Sequence, residues 1–79
     1  MTEQEIYDKI AKLIEERFEL SADQISMKLD FKKDLDADSI DIVEFILELE
    51  DTFGAEIPDE DAEKLVTVGD AVTYIKNHQ

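Results

Sequence analysis

At 79 residues the chain has room for one domain, 1–79, with a thin core, since a domain of this size buries only about 60% of its unfolded surface; an elaborate enzyme site does not fit. With no cysteine, a disulfide, a thiolate metal site and a cysteine nucleophile are excluded. The net charge of −14 is concentrated in residues 34–63, which hold 13 Asp and Glu and no Lys or Arg, and such a field repels nucleic acid and anionic membrane while steering basic protein surfaces toward one region. The same run would also arise in an acidic surface that only aids solubility. A hydrophobic content of 43% with clear periodicity supports a core rather than disorder. The polar, acidic start, Met1 to Glu5, is unlike a secretory signal or a transit peptide, and no apolar run has the length of a membrane span; the expectation is a cytoplasmic protein without stable membrane insertion.

Residues 3–17 read as a first helix. Ile6, Ile10, Leu13 and Ile14 make one apolar stripe, extended by Phe18, and Thr2 with Glu5 has the spacing of a capping box. Residues 19–36 have no sustained period; Leu20, Ile25, Leu29, Phe31 and Leu35 read as isolated anchors of a long loop, with a short helical turn over residues 21–24.

Residues 38–53 read as the second helix. At 100° per residue, Asp41, Glu44, Glu48 and Asp51 fall within about 80°, while the apolar residues from Ile40 to Phe53 spread over roughly 220°. So wide an apolar arc predicts a central helix with neighbours on several sides, or one that lines a cavity. Glu50 falls inside that arc and is expected at a rim. Gly54 stops the helix, Pro58 with three acids opens a short third helix over residues 59–65, and Thr67 with Asp70 caps a fourth over residues 68–77, whose inner face is Val68, Ala71, Val72 and Ile75. With no strand candidate, the fold class is all-α: a four-helix bundle of three main helices and one short one.

Chemistry is expected where the long loop meets the second helix. Ser39 falls at or beside the first helical position, where unpaired N–H groups and the positive helix end accept an anion. Capping alone also explains Asp38-Ser39. No catalytic residue is expected: the only histidine, His78, lies near the chain end, expected mobile, and no Gly-x-Ser-x-Gly elbow surrounds the serine, so any chemistry at Ser39 is done to it by another protein. Asp34, Asp36 and Asp38 match the first, third and fifth places of an EF-hand loop, but Ser39 and Phe45 stand where Gly and Glu are needed, and no metal site is assigned.

Asp38-Ser39-Ile40 with Val43-Glu44, then Leu49 to Phe53, Glu56 to Lys64, Thr67-Val68, Ala71-Val72 and Tyr74-Ile75, together resemble a bacterial-type, free-standing acyl carrier protein. The resemblance implies that Ser39 carries 4′-phosphopantetheine taken from coenzyme A by a holo-carrier-protein synthase, making the chain a phosphoprotein. The thiol of that arm holds growing acyl chains as thioesters in fatty acid biosynthesis. It also implies that Asp38, Asp41, Glu44, Glu48, Glu50 and Asp51 recognise basic patches on fatty acid synthesis and acyltransferase enzymes. The acyl chain is expected between helices, with Val43, Ile46, Leu47, Leu65 and Ile75 as cavity candidates that serve equally as core. A monomer is expected. Two positions depart from the family pattern: Ile40 stands where Leu is usual, and Asp36 where Gly is common. A discrete polyketide or specialised acyl carrier remains an alternative, as does an unmodified acidic interaction or divalent-cation-binding module.

Overall fold

In the computed structural model, which describes residues 1–35 and 38–78, four helices follow one another: α1 (Glu3–Phe18), α2 (Ser39–Phe53), α3 (Asp59–Ala62) and α4 (Val68–Asn77), with a 3₁₀ turn at Ala22–Gln24. Each start is written locally. At α1 the Thr2 hydroxyl accepts the Glu5 N–H at 3.2 Å and the Glu5 carboxylate accepts the Thr2 N–H at 2.9 Å. The Thr2 N–H foremost, and then the Thr2 hydroxyl, hold the Glu5 carboxyl below its ordinary range. Thr67 and Asp70 repeat the device at α4. Asp38 and Asp41 do so at α2, with Asp38 as the cap and Ser39 as the first helical residue. The end of α1 is less expected: Glu19 takes a left-handed conformation, φ 55°, where glycine is the usual choice. Gly54 fills the equivalent place after α2, φ 61°.

The third helix is shorter than the predicted 59–65. After Ala62 the bonds tighten from i−4 to i−3, Lys64 N–H to Asp61 and Leu65 N–H to Ala62, and this turn delivers Leu65 into the core.

Packing follows the stripes. Ile6, Ile10 and Ile14 are fully buried on α1, which packs chiefly on α4 and then on α2. Removing each isoleucine from water contributes about 1.5–3 kcal/mol. The Phe45 ring of α2 lies tilted 5.2 Å from that of Phe31 and edge-on 6.2 Å from that of Phe18, joining the loop, α1 and α2. No polar or charged residue is buried among those described.

The long loop is pinned as expected by Ile25, Leu29 and Phe31, all buried, with Leu20 and Leu35 half-buried. Backbone bonds add a tie that the apolar pattern does not announce. Phe31 N–H donates to Val66 and Val68 N–H to Leu29, an isolated antiparallel bridge centred on Asp30 and Thr67. Gly69 N–H reaches Met27 O at 2.8 Å, and a Cβ on Gly69 would lie 3.0 Å from that oxygen, so glycine permits the approach. Asp30 caps its own turn by accepting the Lys33 and Lys32 N–H groups, which lowers its carboxyl pKa.

Candidate functional site

The cap of α2 leaves Ser39 exposed at the first helical position. The Asp38 carboxylate accepts the Asp41 N–H at 3.0 Å, and the Ile42 N–H bonds the Asp38 carbonyl at 3.1 Å. The N–H groups of Ser39 and Ile40, at the first two positions, have no acceptor within the helix. An exposed hydroxyl beside two such donors suits a phosphodiester: the oxygen is reachable and the donors face the anion. Asp36, the family-atypical residue before the cap, lies outside the described residues.

A groove of about 850 Å³ opens beside Ser39 between α2, α3 and the loop. Of the five cavity candidates, Val43, Ile46, Leu47 and Leu65 line it. Ile75 does not: it sits in the core, 3% exposed, because the face of α4 that carries it is turned toward α1. Ile42, Ile57 and Ala62 complete the apolar lining and were not singled out by sequence pattern. Ile57 follows the α2 turn, and only the fold brings it over the helix.

The wide apolar arc of α2 is not fully covered by neighbours. Ile40, Val43 and Leu47, at i, i+3 and i+7, are 68%, 58% and 56% exposed and form a stripe beside the acids. Val43 and Leu47 form the outer wall of the groove, while Ile40 stands in solvent next to Ser39.

The six acids expected to meet partners have different local duties. Asp38 and Asp41 cap each other's N–H groups. Glu44 and Glu48 are both held by Arg17 of α1, Glu44 at 3.0 Å, and this raises the Arg17 pKa, the Glu48 bond contributing most. Glu50 is half-buried at the groove rim, as expected, and accepts the Ile57 N–H at 3.3 Å. Asp51 is exposed and makes no ion pair among the described residues. No cluster of three His, Cys, Asp or Glu placed to hold a metal ion occurs among them. His78, expected to be mobile, stacks on Tyr74 at 4.0 Å.

The model of the family described as "Phosphopantetheine attachment site" matches residues 8–75, most of the chain and all of the groove. The chain belongs to the acyl carrier protein family. It is 66% identical to the acyl carrier protein of Lactobacillus johnsonii and 63% identical to that of Lactobacillus acidophilus, each match covering all of this chain and 99% of the relative. A solved structure of the acyl carrier protein from Enterococcus faecalis, described for components that contribute to its high thermal stability, superposes with a TM-score of 0.86 at 54% identity over the whole of both chains. The prosthetic group of an acyl carrier protein is 4′-phosphopantetheine, and the donors at the head of α2 fit its phosphodiester. The carrier holds acyl chains on that group, and no helix among the described residues is long and apolar enough to cross a membrane.

Proposed function

We propose that Ser39 is the attachment residue, that the acidic and apolar faces of α2 are where partner enzymes dock, and that the carrier acts in cytoplasmic fatty acid biosynthesis as a monomeric substrate of other enzymes, not as a catalyst. The observation that carries this is the exposed Ser39 hydroxyl at the mouth of an apolar groove, at the N-terminus of a helix with two unfilled donors. The synthase supplies the catalysis of loading: the Ser39 hydroxyl gives up its proton and attacks the phosphorus next to pantetheine in coenzyme A, the pyrophosphate bond breaks, adenosine 3′,5′-bisphosphate leaves, and the Ser39 oxygen becomes the ester oxygen of the phosphodiester. When bound, the group supplies the thiol that this cysteine-free chain lacks. Val43, Ile46, Leu47 and Leu65 then offer an apolar berth for the acyl chain. The mixed stripe of α2 offers partners weak charged contacts that speed encounter and an apolar strip that sets the docked register.

Intact mass after incubation with coenzyme A and a holo-carrier-protein synthase is the direct test. One added phosphopantetheine is expected on the parent chain and none on Ser39→Ala, whose helicity stays unchanged because an exposed serine is removed. Addition to the Ser39→Ala chain, or no addition to the parent, contradicts the assignment.

A further inference from the structure

Arg17 is the only arginine in the chain, and it faces a segment in which 13 acids have no basic residue among them. It sits in the last turn of α1, where the negative end of the helix favours a cation. Glu44 and Glu48, one turn apart on α2, project side by side, so one guanidinium reaches both carboxylates. The side-chain ion pairs found among the described residues are these two. The Arg17 side chain is 23% exposed, with its Nε buried and without an acceptor, while Glu44 and Glu48 stay 55% and 39% exposed. The clasp is therefore closed from the α1 side and open to solvent on its outer side. On the wheel of α2 the two acids lie between Asp41 and the apolar stripe of Ile40, Val43 and Leu47.

We propose that Arg17 is an internal competitor for the basic surfaces that dock on α2: it occupies Glu44 and Glu48 as a partner's arginine would, and a partner gains those acids only by displacing it. This rests on the docking role proposed above for α2. The clasp is weak enough to be displaced, because solvent-exposed pairs have small net strength. It is also strong enough to count, since a site competent for only part of the time binds more weakly by that fraction. A pair of ordinary surface strength predicts about a two- to fivefold penalty on partner affinity. The device favours partners that engage the α2 acids with closely spaced cations, and it filters out those with scattered positive charge.

The test is loading of the full apo chain by the holo-carrier-protein synthase at low salt, with KM and kcat measured separately. Arg17→Met keeps an apolar stem and removes the competitor; KM is expected to fall about two- to fivefold with kcat unchanged. Lys12→Gln removes one positive charge from an exposed position on the same helix, without an ion pair, and serves as the long-range control. An equal fall in both variants, or no fall in Arg17→Met, overturns the proposal. The gain must also vanish when Arg17→Met is combined with Glu44→Gln and Glu48→Gln; a gain that persists there overturns it as well. If Glu44→Gln with Glu48→Gln leaves KM unchanged in the parent, the docking role of α2 itself has failed, and a deficit there without an Arg17→Met gain rejects the competition alone. In the unsubstituted chain, the guanidinium ¹⁵N resonances of Arg17 are expected to move toward those of free arginine as synthase is added, a readout that does not depend on the variant folding.

Discussion

Tyr74 shows how much one hydroxyl can position. Helix α3 has a single turn, no fully buried residue and no side-chain cap, yet Asp59, Ala62 and the following Glu63 line the groove. The Tyr74 hydroxyl donates to the Asp61 carboxylate at 2.9 Å and ties that turn to α4. Tyr74→Phe is expected to cost about 0.5–1.5 kcal/mol in urea unfolding and to speed amide exchange over residues 59–65. Burial, and then the Asp61 carboxylate, raise the phenol above its ordinary value of 10.0. A folded value above the unfolded one means that this stability is complete below pH 10 and is lost as pH rises through the raised value. The difference between parent and Tyr74→Phe is therefore expected to shrink at alkaline pH; a constant difference up to strongly alkaline pH would contradict the bond's contribution.

At the scale of elements, α2 carries two kinds of leucine on opposite duties. Leu49 is fully buried and Leu47 is 56% exposed on the groove wall. Leu49→Ala is expected to cost about 2–5 kcal/mol, a large share of the stability of so short a chain. Leu47→Ala is expected to stay within about 0.5 kcal/mol of the parent while slowing acyl transfer by partner enzymes. Denaturation paired with a transfer assay separates the two. The starts of α1, α2 and α4 and the anchors of the long loop were legible in the sequence, because a capping box joins residues only three apart and a buried stripe shows its own period. The placement of Ser39 at the first helical position was legible for the same reason: its setting is the first turn of its own helix. The Arg17 clasp was not, since it joins residues 27 and 31 positions apart and neither acid looks different from its neighbours. Ile75 was misplaced because an inward-facing residue of α4 has the same pattern whether it meets the groove or α1. The end of α3 was overextended because its acids and Ala62 to Leu65 suit a helix locally, and the pull of Leu65 into the core decides otherwise.

For the whole molecule, charge opposes compactness. Most of the −14 lies in α2, α3 and the segments flanking them, and among the described residues Arg17 is the cation ion-paired to α2. Added salt is expected to raise Tm, because screening relieves repulsion spread over many acids and loses only the small worth of two exposed pairs. Thermal unfolding between about 0.01 and 0.5 M NaCl, where the screening length falls from roughly 30 Å to a few ångström, checks the direction; a falling Tm would show that attraction dominates. The other global property is an interior that holds no buried polar residue among those described. The polar ties between elements, Arg17 to Glu44 and Glu48 and Tyr74 to Asp61, lie toward the surface, so the apolar interior itself carries no side-chain bond that a shift of the helices would break. For an acyl chain seated in the proposed berth, such an interior would exchange one oily neighbour for another, so lengthening the cargo is expected to be tolerated without a new polar group being stranded.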